Sequence, residues 1–176
     1  MRKLCFGSAA ALAVASILMM APGCNEDLTE QQKIQKTAQL IRMSTSSATA
    51  IGLVAVPDPV EADQIANEIK EILTNSVIPI IEGDEEGLAA GLEKILTLEA
   101  FQSEKLAKAK AILEAAVPIL RANLPADLIE KGTGKLKPEV VAYVKAGIYG
   151  INEGADAYLG SRSGVNYKKM REILSK

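Results

Sequence analysis

An all-α fold is predicted for this chain, a five- to six-helix bundle with mostly antiparallel members and proline-kinked helices. Apolar residues recur at steps of three and four through most of the sequence. Helix-start signals punctuate those runs. No stretch of four or more residues alternates with the period of two that a half-buried strand requires, so no sheet is expected.

Thr29 and Gln32 have the spacing of a capping box, and Ile34, Ala38, Ile41, Thr45, Ala48, Ile51 and Ala55 follow as one helical face. This first helix should end at Pro57. Asp58-Pro59 reads as an N-cap followed by proline at the first helical position, with Ile65, Ile69, Ile72 and Ser76 as the buried stripe of the second helix. Gly83-Asp84-Glu85-Glu86 breaks and restarts the pattern. A third helix turns Leu88, Leu92, Ile95 and Leu96 inward and ends near Phe101. Ser103 caps a fourth, on which Leu106, Ala109, Leu113, Ala116 and Leu120 step 3-4-3-4. Pro125 to Gly134 is a turn region. Pro138 opens a fifth helix through Val141, Val144, Ile148, Ile151 and Leu159, closed by Gly160, and a short sixth runs from Asn166 to Leu174.

Composition narrows the chemistry. The chain has 48% hydrophobic and 24% charged residues, which excludes a disordered tail and a polytopic membrane protein. Histidine and tryptophan are absent, so neither Ser-His-Asp nor Cys-His catalysis nor a His metal site is available. With two cysteines, one of them near the start of the chain, there is no disulfide framework.

Arg2 and Lys3 form a positive n-region, Ala9 to Met20 an apolar h-region, and Ala21-Pro22-Gly23-Cys24 places small residues before a cysteine that polar Asn25-Glu26-Asp27 follows. This opening resembles a bacterial lipoprotein precursor over about its first 25 residues, although Ala21 stands where leucine is usual. The resemblance implies cleavage before Cys24 and lipidation, including palmitate, on Cys24. Several acyl chains hold a protein on a bilayer as one cannot. It divides the chain into a signal peptide (1–23), the lipidated Cys24 with a short tether (24–28) and a single helical domain (29–176). In that class aspartate after the cysteine favours inner-membrane retention; Asn25 stands there instead, which mildly favours the outer membrane over the inner if the envelope is Gram-negative. Two other readings of the same residues are an uncleaved anchor over Leu4 to Pro22 and ordinary signal-peptidase cleavage. The tether reaches less than ~20 Å when fully extended.

Two patterns repeat. Lys70-Glu71-Ile72-Leu73 leading to Pro79 is echoed by Lys110-Ala111-Ile112-Leu113 leading to Pro118, so the prolines kink or end two similar helices, through duplication or through shared composition. Ala142, Ala146, Gly150 and Gly154 lie at i+4 on the fifth helix. A glycine costs roughly 1 kcal/mol against alanine in a helix interior, so this face is expected to let another helix approach closely. Ser44, Ser47, Ala48 and Gly52 of the first helix are the expected intramolecular partners, with a homo-oligomer contact as the alternative.

No catalytic, cofactor or metal site is expected. Gly132-Thr133-Gly134-Lys135 lacks the spacing and the preceding strand of a phosphate loop. Glu82, Asp84, Glu85 and Glu86 lack the calcium-loop pattern and suit a helix amino end. The tyrosines read as core or rim residues. Residues 24–100 hold 14 acidic and 5 basic side chains, and 101–176 hold 8 acidic and 13 basic. Either the two halves are complementary, or Lys131, Lys135, Lys137, Arg162, Lys168, Lys169 and Arg171 face anionic headgroups or an acidic partner. Nucleic acid is not an expected partner, because the mature chain is net acidic and exported.

The function expected is that of a membrane-anchored, non-enzymatic envelope lipoprotein that binds a protein partner at the membrane face. The alternative is a carrier of a lipid or other apolar ligand between helices splayed at Pro79 and Pro118.

Overall fold

A computed structural model describes residues 28–83, 85–96, 107–128 and 135–162. These residues are all-α, with no strand among them. The expected signal peptide, Cys24, the Ser103 cap and the helix over 166–174 lie outside the described residues.

Helix α1 is Glu30–Val54. Its start follows from local chemistry: the Thr29 backbone N–H donates to Gln32 Oε1 at 2.9 Å, and the Gln32 N–H donates to Thr29 Oγ1 at 3.3 Å. Helix α2 has three parts, Pro59–Ile72, a π-helical turn Leu73–Val77, and Ile78–Glu82. Asp58 caps it by accepting from the Val60 N–H at 2.9 Å. The π turn is the response to Pro79. Proline supplies no N–H and its ring crowds the carbonyl four residues back. In the turn before it the Ile78 N–H reaches Leu73 O, five residues back, so the helix continues with one residue looped outward.

That extra residue corrects the expected stripe. Leu73, Val77 and Ile81 are buried and Ser76 is exposed. Helix α3 is Glu85–Leu96, with Leu88 and Leu92 in the core. Helix α4 is Ala107–Asn123 and runs through Pro118, which is exposed. The two similar lysine-to-proline segments therefore differ in local structure. Helix α5 is Pro138–Arg162. It passes through Gly160, which has no heavy atom near the place of a Cβ and does not end the helix as expected.

The core is formed by Leu53, Ile65, Ile69, Leu73, Leu113, Val144, Ile148 and Ile151 with their neighbours. Burial of each large aliphatic side chain contributes about 1.5–3 kcal/mol. Tyr158 is the bulkiest of the fully buried side chains. On α1 the buried line is Ile41, Thr45, Thr49 and Leu53, a strict i+4 row. The expected Ala48 and Ile51 are only half-buried and Ala55 is exposed. Small threonines occupy the inward line because α5 comes too close for larger side chains.

The broadest contact of the described fold is between α1 and α5. A Cβ built on Gly150 would overlap Arg42 O and Thr45 Oγ1, and one built on Gly154 would overlap Ser46 O. Moving forward along α5 thus moves forward along α1, and the two helices run parallel. This pair departs from the antiparallel expectation. Gly52 of α1 faces Ile112 of α4, whereas Ile41 clusters with Leu120, so α1 and α4 run antiparallel. Lys70 pairs with Asp156 and Glu82 with Tyr149, which makes α2 antiparallel to α5.

Candidate functional site

The α1–α5 seam sets two glycines of α5 against polar residues of α1. Glycine at 150 and 154 lets the α5 backbone lie on the Arg42 and Ser46 carbonyls, with Thr49 Cβ 2.8 Å from where a Gly154 Cβ would stand. The threonine hydroxyls in this tight layer have no room for distant partners. Thr45 Oγ1 donates back to Ile41 O at 2.9 Å and Thr49 Oγ1 to Thr45 O at 2.9 Å, which satisfies both within the helix.

Ala146 is buried beside Ile41 and Leu120, and Ala142 is half-buried. The four small residues thus share a face, but the helix opposite presents a different row from the one expected. Arg42, Thr45, Ser46 and Thr49 meet Gly150 and Gly154, and Gly52 turns to α4 instead. The α1 row is displaced because threonine at i+4 fits the seam and satisfies its own hydroxyl.

At the rim of the seam a line of four side chains ties three elements. The Arg42 guanidinium grips Glu153 with two nitrogens, Nε at 2.9 Å from Oε2 and Nη2 on Oε1. It also lies 5.8 Å from the Tyr149 ring centroid. The Tyr149 hydroxyl donates to the Glu82 carboxylate. Hydrogen bonding to Arg42 holds the Glu153 carboxyl below its usual range, and hydrogen bonding to Glu82, with burial, raises the Tyr149 phenol. Glu153 is therefore kept charged and Tyr149 kept protonated. A general acid at neutral pH needs the opposite, a carboxyl pushed up. Composition and spacing gave no sign of these pairs, because Arg42 and Glu153 stand 111 residues apart.

The parallel seam also sorts the basic residues. Gly150 is level with Arg42–Thr45, and Pro138 lies three turns earlier, roughly 18 Å along α5. Pro138 therefore stands level with the first turn of α1. Lys135 and Lys137, immediately before Pro138, share that end with Leu28, which is four residues from Cys24. The Lys137 N–H is held by Leu128 O at 3.0 Å. Arg162 ends α5 at the opposite end, roughly 36 Å away along the helix. The expected basic set is thus divided by the fold, with Lys131, Lys168, Lys169 and Arg171 outside the described residues.

Pro79 and Pro118 are both exposed, while Val77, Ile81, Ala116, Val117, Ile119 and Leu120 beside them are buried. Among the described residues no three acidic or cysteine side chains converge as a metal site, and no helix is long and apolar enough to cross a membrane. Comparison with protein-family models, with curated proteins and with solved structures finds no match to this chain.

Proposed function

We propose that this chain is an envelope lipoprotein anchored through Cys24, whose non-enzymatic helical domain, a mostly antiparallel bundle of five or six helices, binds a protein partner at the membrane face. The observation that carries the reading is one of placement. Helix α1 begins within a short tether of Cys24 and presents Leu40 and Met43 outward, one turn apart, with 38% and 59% of their surface exposed. An outward apolar pair roughly 16 and 21 Å along the helix that follows the tether suits a partner that also lies at the membrane. Carriage of an apolar ligand needs helices splayed at the prolines, and the buried residues flanking Pro79 and Pro118 favour the anchored, partner-binding reading instead.

The test is a photo-crosslinking residue placed at Met43, with the exposed Ala157 near the carboxyl end of α5 as the control, in cells that express the full chain. The reading predicts a reproducible discrete adduct from position 43 and none of the same size from 157. Absence of any reproducible adduct at 43 overturns it.

A further inference from the structure

We infer that the outward face of α1 docks on the same face of a second copy of this chain, as an antiparallel pair centred between Ser44 and Ser47; this names the partner in the reading above and rests on the Cys24 anchor proposed there.

Two features of the face point to a second copy. The first is its lack of charge. Between Thr37 and Pro57 the one charged side chain is Arg42, and Glu153 of the same fold holds it. A helix face turned to water ordinarily carries charged residues. Here Leu40, Met43 and Ser47 are exposed, and Ser44 and Ile51 are half-buried. The second feature is spacing. Leu40, Ser44, Ser47 and Ile51 follow one another at steps of four, three and four, which is the seam of two packed helices and reads the same in either direction. A two-fold axis at its midpoint lays Leu40 on Ile51 of the second copy and Ser44 on Ser47 of that copy. Serines at the centre let the backbones approach, and the larger side chains fill the space to either side.

Charge fixes the sense of the pair. The seam continues back to Lys33, and Asp58 follows its other end at the same separation from the midpoint. An antiparallel pair therefore brings Lys33 to the carboxyl end of the other α1, whose last turn has no basic residue, and to the Asp58 that follows it. A parallel pair would set Lys33 against Lys33. The chain's own residues 163–176 bring Lys168, Lys169 and Arg171, for which a face without a carboxylate is a poor match.

Anchoring supplies the rest. Two chains lipidated at Cys24 in one leaflet are related by an axis along the membrane normal, and an antiparallel pair lying along the surface obeys it with one tether at each end. Helix α1 spans roughly 37 Å and each tether less than ~20 Å. Confinement to a surface raises the effective concentration, so the pair needs less than the roughly 800 Å² per partner of standard interfaces.

Disulfide trapping in isolated membranes tests this. One full-length chain carries Leu40→Cys and an epitope tag, and a second carries Ile51→Cys and a different tag. The two are co-expressed, oxidised with copper phenanthroline and compared with chains lacking the new cysteines. The mixed disulfide should exceed the Leu40→Cys homodimer at least about tenfold, because position 40 of the two copies lies roughly 16 Å apart along the pair, beyond disulfide reach. Ser47→Lys on both chains should reduce the mixed disulfide about tenfold or more, since a lysine at the centre meets no carboxylate. A dominant Leu40→Cys homodimer, or a mixed disulfide that Ser47→Lys leaves unchanged, overturns the inference. Membrane-bound chains that form no mixed disulfide, and whose position 43 crosslinks to a protein of another mass, overturn it while leaving the partner reading intact. No disulfide and no adduct at position 43 overturn both. Chains absent from the membrane fraction remove the Cys24 anchor, and this inference with it.

Discussion

Gly154 rests on the backbone of Ser46. Its Cα packs so closely that a Cβ there would overlap the Ser46 carbonyl oxygen and lie 3.1 Å from the carbonyl carbon. A backbone carbonyl inside a helix cannot rotate away as a side chain can. Gly154→Ala should therefore destabilise the fold by about 1–2 kcal/mol, because overpacking against a fixed carbonyl, toward the upper part of the 1–3 kcal/mol range, outweighs the roughly 1 kcal/mol gained in helix propensity. Gly150→Ala should behave alike, and urea denaturation followed by circular dichroism measures both.

Gly160 provides the contrast on the same helix. Nothing lies within 4 Å of its would-be Cβ, so Gly160→Ala should stabilise by about 0.5–1 kcal/mol in the same assay. A loss of stability there would mean that α5 ends earlier and that Gly160 serves as its cap.

Much of the local structure was legible in the residues themselves. The Thr29/Gln32 box and the Asp58-Pro59 start depend only on neighbours in sequence, and both form as their chemistry dictates. The small-residue face of α5 was legible for the same reason, since glycine at i+4 has few other uses. Its partner row was not. Periodicity selects apolar residues, and the seam selects Thr45 and Thr49 for their size. Ser76 was misplaced because a π turn shifts every later residue around the helix, a shift that no period of 3.6 anticipates. The parallel pairing of α1 with α5 joins the first and last described helices, so no short connection fixes its sense.

The Arg42–Glu153 pair should matter less than its geometry suggests. Its side chains remain 48% and 45% exposed, so solvent screens the interaction, and a double-mutant cycle with Arg42→Met and Glu153→Gln should give a coupling below about 1 kcal/mol. Its sign with pH is fixed. Arg42 lowers the folded Glu153 value below the 4.5 of a free carboxyl, so the stabilisation is present above pH 4.5 and is lost as pH falls below it. The Tyr149 value is raised above 10.0, chiefly by its hydrogen bond to Glu82, so that contribution is present below pH 10.0 and is lost as pH rises beyond it. Glu153→Gln should flatten the acid limb of a stability profile, and Tyr149→Phe the alkaline limb.

Pro118 interrupts α4 on its exposed side. It withholds the N–H that would bond the carbonyl of Glu114, and interior prolines cost up to about 3 kcal/mol. Since α4 continues through this position, Pro118→Ala should raise stability by about 1 kcal/mol or more, read as a higher urea midpoint. Unchanged stability would mean that the packing of Val117, Ile119 and Leu120 depends on the bend.

On the function proposed above, an anchor at Cys24 would set the exposed face of α1 near the membrane. The most direct measurement is metabolic labelling with a clickable palmitate analogue, comparing the native chain with Cys24→Ser and following the membrane fraction. Label and membrane retention are expected in the native chain, and loss of both in Cys24→Ser. A native chain that takes no label contradicts it, whether that chain stays in the membrane through its amino-terminal segment or is released as a soluble domain.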